Sequence, residues 1–271
     1  MITDDAVRKK YISDGSAFDD VSRVCQELAQ DRVRRELSLK FVTLCDGGKG
    51  PVRALVDDDW DVVSDRRPIF LFITGRGKSR AGVVSVREVL VSGIERGSAL
   101  FHLREAKRRG FSVACLDPNA LGENGGMAAL ERSLTALFRP GRDKAPIYVL
   151  AHSAAGGFLV RYLVLGATRG RILPNLQAVA FTDSTHRLPW AREDPALFSF
   201  LQSPRCLYVR NDTARESSGG TGGPGEVVRS DVWWRSRFGE LRTVWAGTAS
   251  HSAMCWVARE IIWNFFDQHI S

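Results

Sequence analysis

Pro146-Ile147-Tyr148-Val149-Leu150-Ala151-His152-Ser153-Ala154-Ala155-Gly156-Gly157-Phe158 is the stretch that decides the fold. Ile147 to Ala151 is a short, continuous apolar run, as expected of a strand buried on both faces of a sheet. Ser153 follows, and small residues then open an apolar helix from Phe158 to Leu165. This layout matches a nucleophile elbow, a sharp strand–turn–helix bend that lifts a serine hydroxyl above a sheet. So tight a bend needs small residues two before and two after the serine. Here they are Ala151 and Ala155 rather than glycines.

The pattern on both sides of the elbow agrees with it. Upstream, Ile69 to Ile73 reads as a buried strand and Thr74-Gly75-Arg76-Gly77 as the turn that ends it. Val83 to Arg109 reads as mostly helical, with breaks at Gly93 or Gly97. Phe111 to Leu116 reads as the next strand, closed by Asp117-Pro118-Asn119, and Met127 to Phe138 as a helix. Downstream, Leu176 to Phe181, Cys206 to Val209 and Leu241 to Trp245 read as strands, and Ala253 to Phe266 as a last helix. Near the start, Val21, Val24, Leu28, Val33 and Leu37 recur at helical spacing, Phe41 to Cys45 reads as a strand, and Val52 to Val63 is ambiguous. Strand–helix alternation of this kind implies an α/β class with a doubly wound, mainly parallel sheet. With the elbow, the expectation is a sheet of the α/β-hydrolase type. Residues 1–18 are polar and read as a flexible arm, and residues 19–271 as a single domain.

Composition narrows the classes. The chain is 44% hydrophobic and 25% charged, the balance of an ordinary globular protein. No apolar run reaches the roughly 18 residues that span a bilayer, so no membrane segment is expected. Met1-Ile2-Thr3-Asp4-Asp5 does not open a secretory signal, and the expected setting is nuclear or cytoplasmic. Five cysteines without a CxxC pair predict neither a disulfide framework nor a zinc site. The net charge of +7 gathers at Arg32 to Arg35, Lys107 to Arg109, Arg139 to Lys144 and Arg169 to Arg171. These clusters read either as solvated helix ends or as basic patches for RNA or DNA contact.

Three polar residues carry the candidate chemistry. A serine hydroxyl attacks only when a base takes its proton, and a carboxylate orients the base. On elbow folds the chain order is serine, acid, histidine. Ser153, Asp183 and His251 stand in that order, each after a strand and so at one edge of the sheet. Asp212, after the following strand, is the alternative acid. The oxyanion donors are expected from Ala154 and from the Gly75, Arg76, Gly77 loop. Gly75-x-Gly77-Lys78-Ser79 lacks the first glycine and spacing of a phosphate-binding loop. His186 is placed in the cleft wall, and the glycine-rich stretch 217–225 is a possible lid by composition. A small acyl ester is the expected substrate, with no metal or organic cofactor.

Several blocks in order resemble the Arb2 domain family, which includes the FAM172-type proteins. They are Phe72-Ile73-Thr74-Gly75-Arg76-Gly77 with Arg80-Ala81-Gly82, and Arg109-Gly110-Phe111 leading to Leu116-Asp117-Pro118-Asn119. The more particular blocks are Ala151-His152-Ser153, Ala180-Phe181-Thr182-Asp183-Ser184-Thr185-His186 and Ala246-Gly247-Thr248-Ala249-Ser250-His251. The resemblance covers residue 20 to the end, and its Thr-Asp-Ser-x-His spacing favours Asp183 over Asp212 as the acid. It implies the hydrolase-like fold. It also implies an alternative role, a catalytically weak or silent module that binds chromatin, histone or Argonaute-type partners in RNA-directed silencing. Where the resemblance carries a glutamate after the last histidine, this chain has Ser252.

Overall fold

The computed structural model describes residues 15–44, 50–61, 66–122, 124–138, 144–166, 168–211, 223–228 and 231–270. Its strands are β1 (Leu39–Leu44), β2 (Val52–Asp57), β3 (Ile69–Ile73), β4 (Ser112–Leu116), β5 (Ile147–His152), β6 (Leu176–Thr182), β7 (Cys206–Arg210) and β8 (Thr243–Trp245). The principal helices are α1 (Gly15–Leu37), α2 (Val86–Ser92), α3 (Leu100–Arg108), α4 (Gly126–Leu137), α5 (Ala154–Leu165), α6 (Pro195–Leu201), α7 (Val232–Phe238) and α8 (Arg259–Asp267). The sheet runs β1-β2-β4-β3-β5-β6-β7-β8. β2 is antiparallel to both its neighbours, and every other pairing is parallel.

Side chains alternate across a strand with a period of two, which splits the core into two layers. Leu71, Ile73, Val149, Ala151 and Phe181 meet one set of helices through Leu130, Leu134, Leu159, Leu163, Leu197 and Phe238. Phe70, Phe72, Tyr148, Leu150 and Ala180 meet the other set through Val33, Leu103, Trp263 and Phe266. Each fully buried Leu or Phe contributes roughly 1.5–3 kcal/mol. β3 and β5, central and covered on both faces, therefore have no polar face, as their sequences show.

The structure moves several sequence-based boundaries. The first helix starts at Gly15, so residues 15–18 belong to it rather than to an arm. Nothing in Gly15-Ser16-Ala17-Phe18 opposes the helix beyond a glycine at its first position. The remaining arm residues, 1–14, lie outside the described residues, as do Cys45 and most of the 217–225 loop. The expected long helix from Val83 is divided at both glycines. Gly93 takes φ 92° and caps α2, and Gly97 lies against the Val89 backbone where no Cβ fits. The ambiguous stretch resolves into β2. Its last residue, Asp57, is buried and accepts the Val113 N–H at 2.7 Å while pairing with Lys107.

Candidate active site

Ser153, Asp183 and the strand before His251 are placed by the sheet itself. Ser153 N–H donates to Thr182 O at 2.8 Å, Asp183 N–H to Val209 O at 2.9 Å, and Ala246 N–H to Arg210 O at 2.9 Å. Each bond extends a parallel ladder by one residue past β5, β6 and β8. The nucleophile and acid candidates thus leave neighbouring strands at the same edge. Thr185 N–H also donates to Ser153 O at 3.2 Å, tying the acid's loop to the serine.

Ser153 has φ 57° and ψ −126°, and Asp183 has φ 48°. Non-glycine residues seldom take positive φ, and holding one there costs on the order of 1–3 kcal/mol. The surroundings impose it. α5 begins immediately after Ser153, and at Gly156 a Cβ would overlap the Ser184 hydroxyl and come within 2.9 Å of Phe181. Ala151 and Ala155 are fully buried, so small residues do flank the bend.

His251 Nδ1 is hydrogen-bonded to Asp183 Oδ2. Asn211 Nδ2 donates to the same carboxylate oxygen at 2.8 Å. The segment after β7 therefore reaches the acid through Asn211; Asp212 lies outside the described residues. The histidine loop is held at its other side by Ser252, whose hydroxyl donates to Glu88 Oε1 at 2.9 Å. That carboxylate is supplied by α2. Ser153 and His251 line one cleft of about 240 Å³ with Gly75, Arg76, Gly77, Lys78 and Ser252. The serine hydroxyl is not hydrogen-bonded to the imidazole in this conformation, a separation often seen before substrate tightens a site.

Beneath His251 lies His152, with ring centroids 4.7 Å apart and planes inclined by 32°. Its Nδ1 bonds Thr182 Oγ1 at 3.1 Å. Burial, and then the facing His251, lower the His152 pKa to about 3. His152 is consequently neutral at ordinary pH, so an imidazolium forming on His251 meets no second positive ring.

The loop after β3 is set by Asn119. Its Nδ2 donates to Gly75 O and Ser79 O, both at 2.8 Å, and its Oδ1 accepts Gly77 N–H at 3.0 Å. Gly77 was expected among the oxyanion donors; its N–H is instead committed to Asn119. Ala154, at the first position of α5, has an N–H with no intrahelical acceptor. Gly75 packs so closely that a Cβ would come within 2.9 Å of Ser153 Cβ and 3.2 Å of His152 O. Gly75→Ala is expected to push this loop off the serine. Ester turnover, kcat/KM, should fall about 100-fold, because ångström-scale misplacement costs that much; thermal melting followed by circular dichroism should show the fold retained.

His186 is not a cleft residue. It is 1% exposed, stacks on Phe181 at a centroid distance of 4.0 Å, and bonds Ser184 Oγ at 2.8 Å. The Asp183-Ser184-Thr185-His186 segment turns inward after the aspartate, and its later polar groups brace α5 from below. The basic clusters are largely paired within the chain: Arg32 with Glu36, Arg34 and Arg35 with Asp31, Lys107 with Asp57, Arg109 with Asp267, Arg169 with Asp194. Residues 139–143 lie outside the described residues.

A solved structure described as a histone deacetylase from Saccharomyces cerevisiae shares this arrangement with TM-score 0.56 at 12% identity, covering 92% of this chain and 98% of that one. The fold is that of the α/β-hydrolases. An esterase from Pyrobaculum calidifontis superposes with TM-score 0.48 at 12% identity over 93% of this chain and 94% of its own. The esterase LipW from Mycobacterium marinum gives 0.47 at 11% identity, over 91% and 88%. At such identities a likeness speaks to the fold alone. No family model matches the chain, and no curated protein matches it.

Proposed function

We propose that the chain is a serine hydrolase acting on ester bonds. One observation carries this reading: His251 is bonded through Nδ1 to Asp183 while its ring opens onto the cleft that also holds Ser153. With Nδ1–H directed at Asp183, Nε2 is left as the proton acceptor. Ser153 Oγ attacks the ester carbonyl as its proton passes to Nε2. Asp183, itself held by Asn211, holds the ring, and the neutral His152 supports it from below. The N–H of Ala154, with a backbone N–H of the Gly75–Arg76 turn, receives the negative charge on the carbonyl oxygen. His251 then protonates the departing alcohol, and water repeats the cycle on the acyl-enzyme. The cleft is smaller than the roughly 300–1,000 Å³ of drug-sized sites, which fits a short acyl group.

The test is covalent labelling with a fluorophosphonate probe. Wild-type protein is expected to label and Ser153→Ala to remain unlabelled. A folded wild type that stays unlabelled would refute the hydrolase reading. It would favour the second one, an Arb2-like binding module for silencing or histone-modifying complexes, for which the unformed Ser153–His251 hydrogen bond speaks. No helix among the described residues is long and apolar enough to cross a membrane.

A further inference from the structure

The loop beside Ser153 is fastened by one buried side chain. Gly75 packs against Ser153, whereas Arg76, Gly77 and Lys78 are exposed and belong to no helix or strand. Glycine loses more conformational freedom on folding than any other residue, so Gly75 and Gly77 keep one conformation only where bonds impose it. β3 and β4 are parallel neighbours, with Ile73 paired to Leu116, and the chain leaving β4 passes beside the chain leaving β3. Three residues past Leu116 stands Asn119, 6% exposed. Both N–H groups of its amide go to this loop, one to Gly75 O and one to Ser79 O, and its Oδ1 takes the Gly77 N–H. Alternate residues of the loop are thus gripped from one point. The partners also fix the amide's orientation, because only the nitrogen can face two carbonyl oxygens. Asn119 is itself anchored. Its N–H donates to Asp117 Oδ1 at 2.9 Å, and its carbonyl accepts Arg80 Nη1 at 2.9 Å and Gly122 N–H at 3.1 Å. The loop's far end is tied to α1, where Gln26 Oε1 accepts the Arg80 N–H at 2.9 Å.

Asn119 is not among the residues that line the cleft. Whatever it does to a reaction there passes through the loop. We infer that Asn119 is a positioning residue for ester hydrolysis, holding the Gly75–Ser79 loop at the place beside Ser153 where its backbone meets the charge on the carbonyl oxygen. The inference rests on the hydrolase reading and adds to it a residue that the order of serine, acid and histidine does not name. Asn119 makes and breaks no bond to the substrate. Its three hydrogen bonds are in place before the ester arrives, so the loop has nothing left to reorganise as the charge develops. An interaction of that kind favours the transition state over the bound ester. Removing it lowers kcat and leaves KM nearly unchanged.

The experiment compares wild type with Asn119→Ala and Asn119→Asp in the hydrolysis of para-nitrophenyl butyrate, each protein well below its own melting temperature. Aspartate keeps the shape of asparagine but sets an oxygen against Gly75 O and Ser79 O, where donors are required. kcat is expected to fall about tenfold in Asn119→Ala and about 100-fold in Asn119→Asp, with KM within about twofold of wild type. The rate of fluorophosphonate labelling at Ser153 should fall in step. A residue that only filled space would rank the two variants the other way. A second measurement needs no variant. The Gly77 amide is exposed, yet in wild type it should exchange its hydrogen roughly tenfold more slowly than an unstructured glycine, the protection that one hydrogen bond confers. Folded variants with wild-type kcat, or with a raised KM alone, would overturn the inference and leave a labelled, active hydrolase standing. Unprotected exchange at Gly77 would do the same. Wild-type protein that neither labels nor turns over the ester would end both readings, and that control tells the two failures apart.

Discussion

Alanine at His251 is expected to lower ester hydrolysis by about three to four orders of magnitude, and Ser153→Ala by a similar factor. The more telling result is the double variant, which should be no slower than either single one. The two side chains act in one event, proton transfer coupled to attack, so removing the second costs nothing further once the first is gone. Additive losses, measured as kcat/KM on a para-nitrophenyl ester, would show that the groups work independently and that the shared cleft misleads. Asn211→Ala provides an intermediate case. It removes one hydrogen bond to Asp183 but leaves the His251 contact in place, and a loss of roughly tenfold is expected for a bond to a charged group.

Stability should fall steeply on mild acidification. His102, His152 and His186 are buried in the fold, and burial lowers their pKa from 6.5 to about 4, about 3 and about 3 respectively. The unfolded chain takes up these protons near pH 6.5, whereas the fold refuses them until far lower. Their contribution is therefore complete above pH 6.5 and is lost progressively as pH falls toward 4. Each histidine weakens the fold by about 1.4 kcal/mol per pH unit in that window. Asp117 works the other way. Burial raises its pKa from 3.8 to about 6, so the fold binds that proton before the unfolded chain does. With three protons favouring the unfolded chain and one the fold, the net slope near pH 5 is about 3 kcal/mol per unit. Against the roughly 5–15 kcal/mol of a typical domain, two units are decisive. Urea midpoints recorded between pH 7.5 and 5 check this. A flat profile would mean that the three imidazoles are not held neutral in the core.

The sheet was legible because its central strands are apolar on both faces. Ile69–Ile73 was placed to the residue, and β5 and β6 to within one. The elbow was legible for a steric reason, since the positions two before and two after Ser153 are both alanine. Two helices, Pro195–Leu201 and Val232–Phe238, were not read. Both are short, and their signals are local: Asp194 and Asp231 accept the N–H groups of Leu197 and Trp234 as caps. In the site, the order of Ser153, Asp183 and His251 stood in the sequence, but the groups that orient them did not. Asn119 and Asn211 each follow a strand on the same edge, which marks them as candidates, yet nothing in their neighbours says that one clamps the Gly75 loop and the other the acid. His186 shows the opposite error. A histidine three residues after the acid looks like a cleft residue until the chain is seen to turn inward at Ser184. The Gly75–Gly77 loop borders the cleft beside Ser153, and the commitment of the Gly77 N–H depended on a side chain 42 residues away.

The three candidate groups are not mounted alike. Two are riveted to adjacent strands and to one another, while the imidazole hangs from a separate loop moored by a serine hydroxyl on a distant glutamate. A descendant of such a chain could slip that mooring, silence its chemistry and still present an intact, well-folded platform to other molecules. Hydrolase and adaptor would on this architecture differ by two hydrogen bonds, one to Glu88 and one to Asp183.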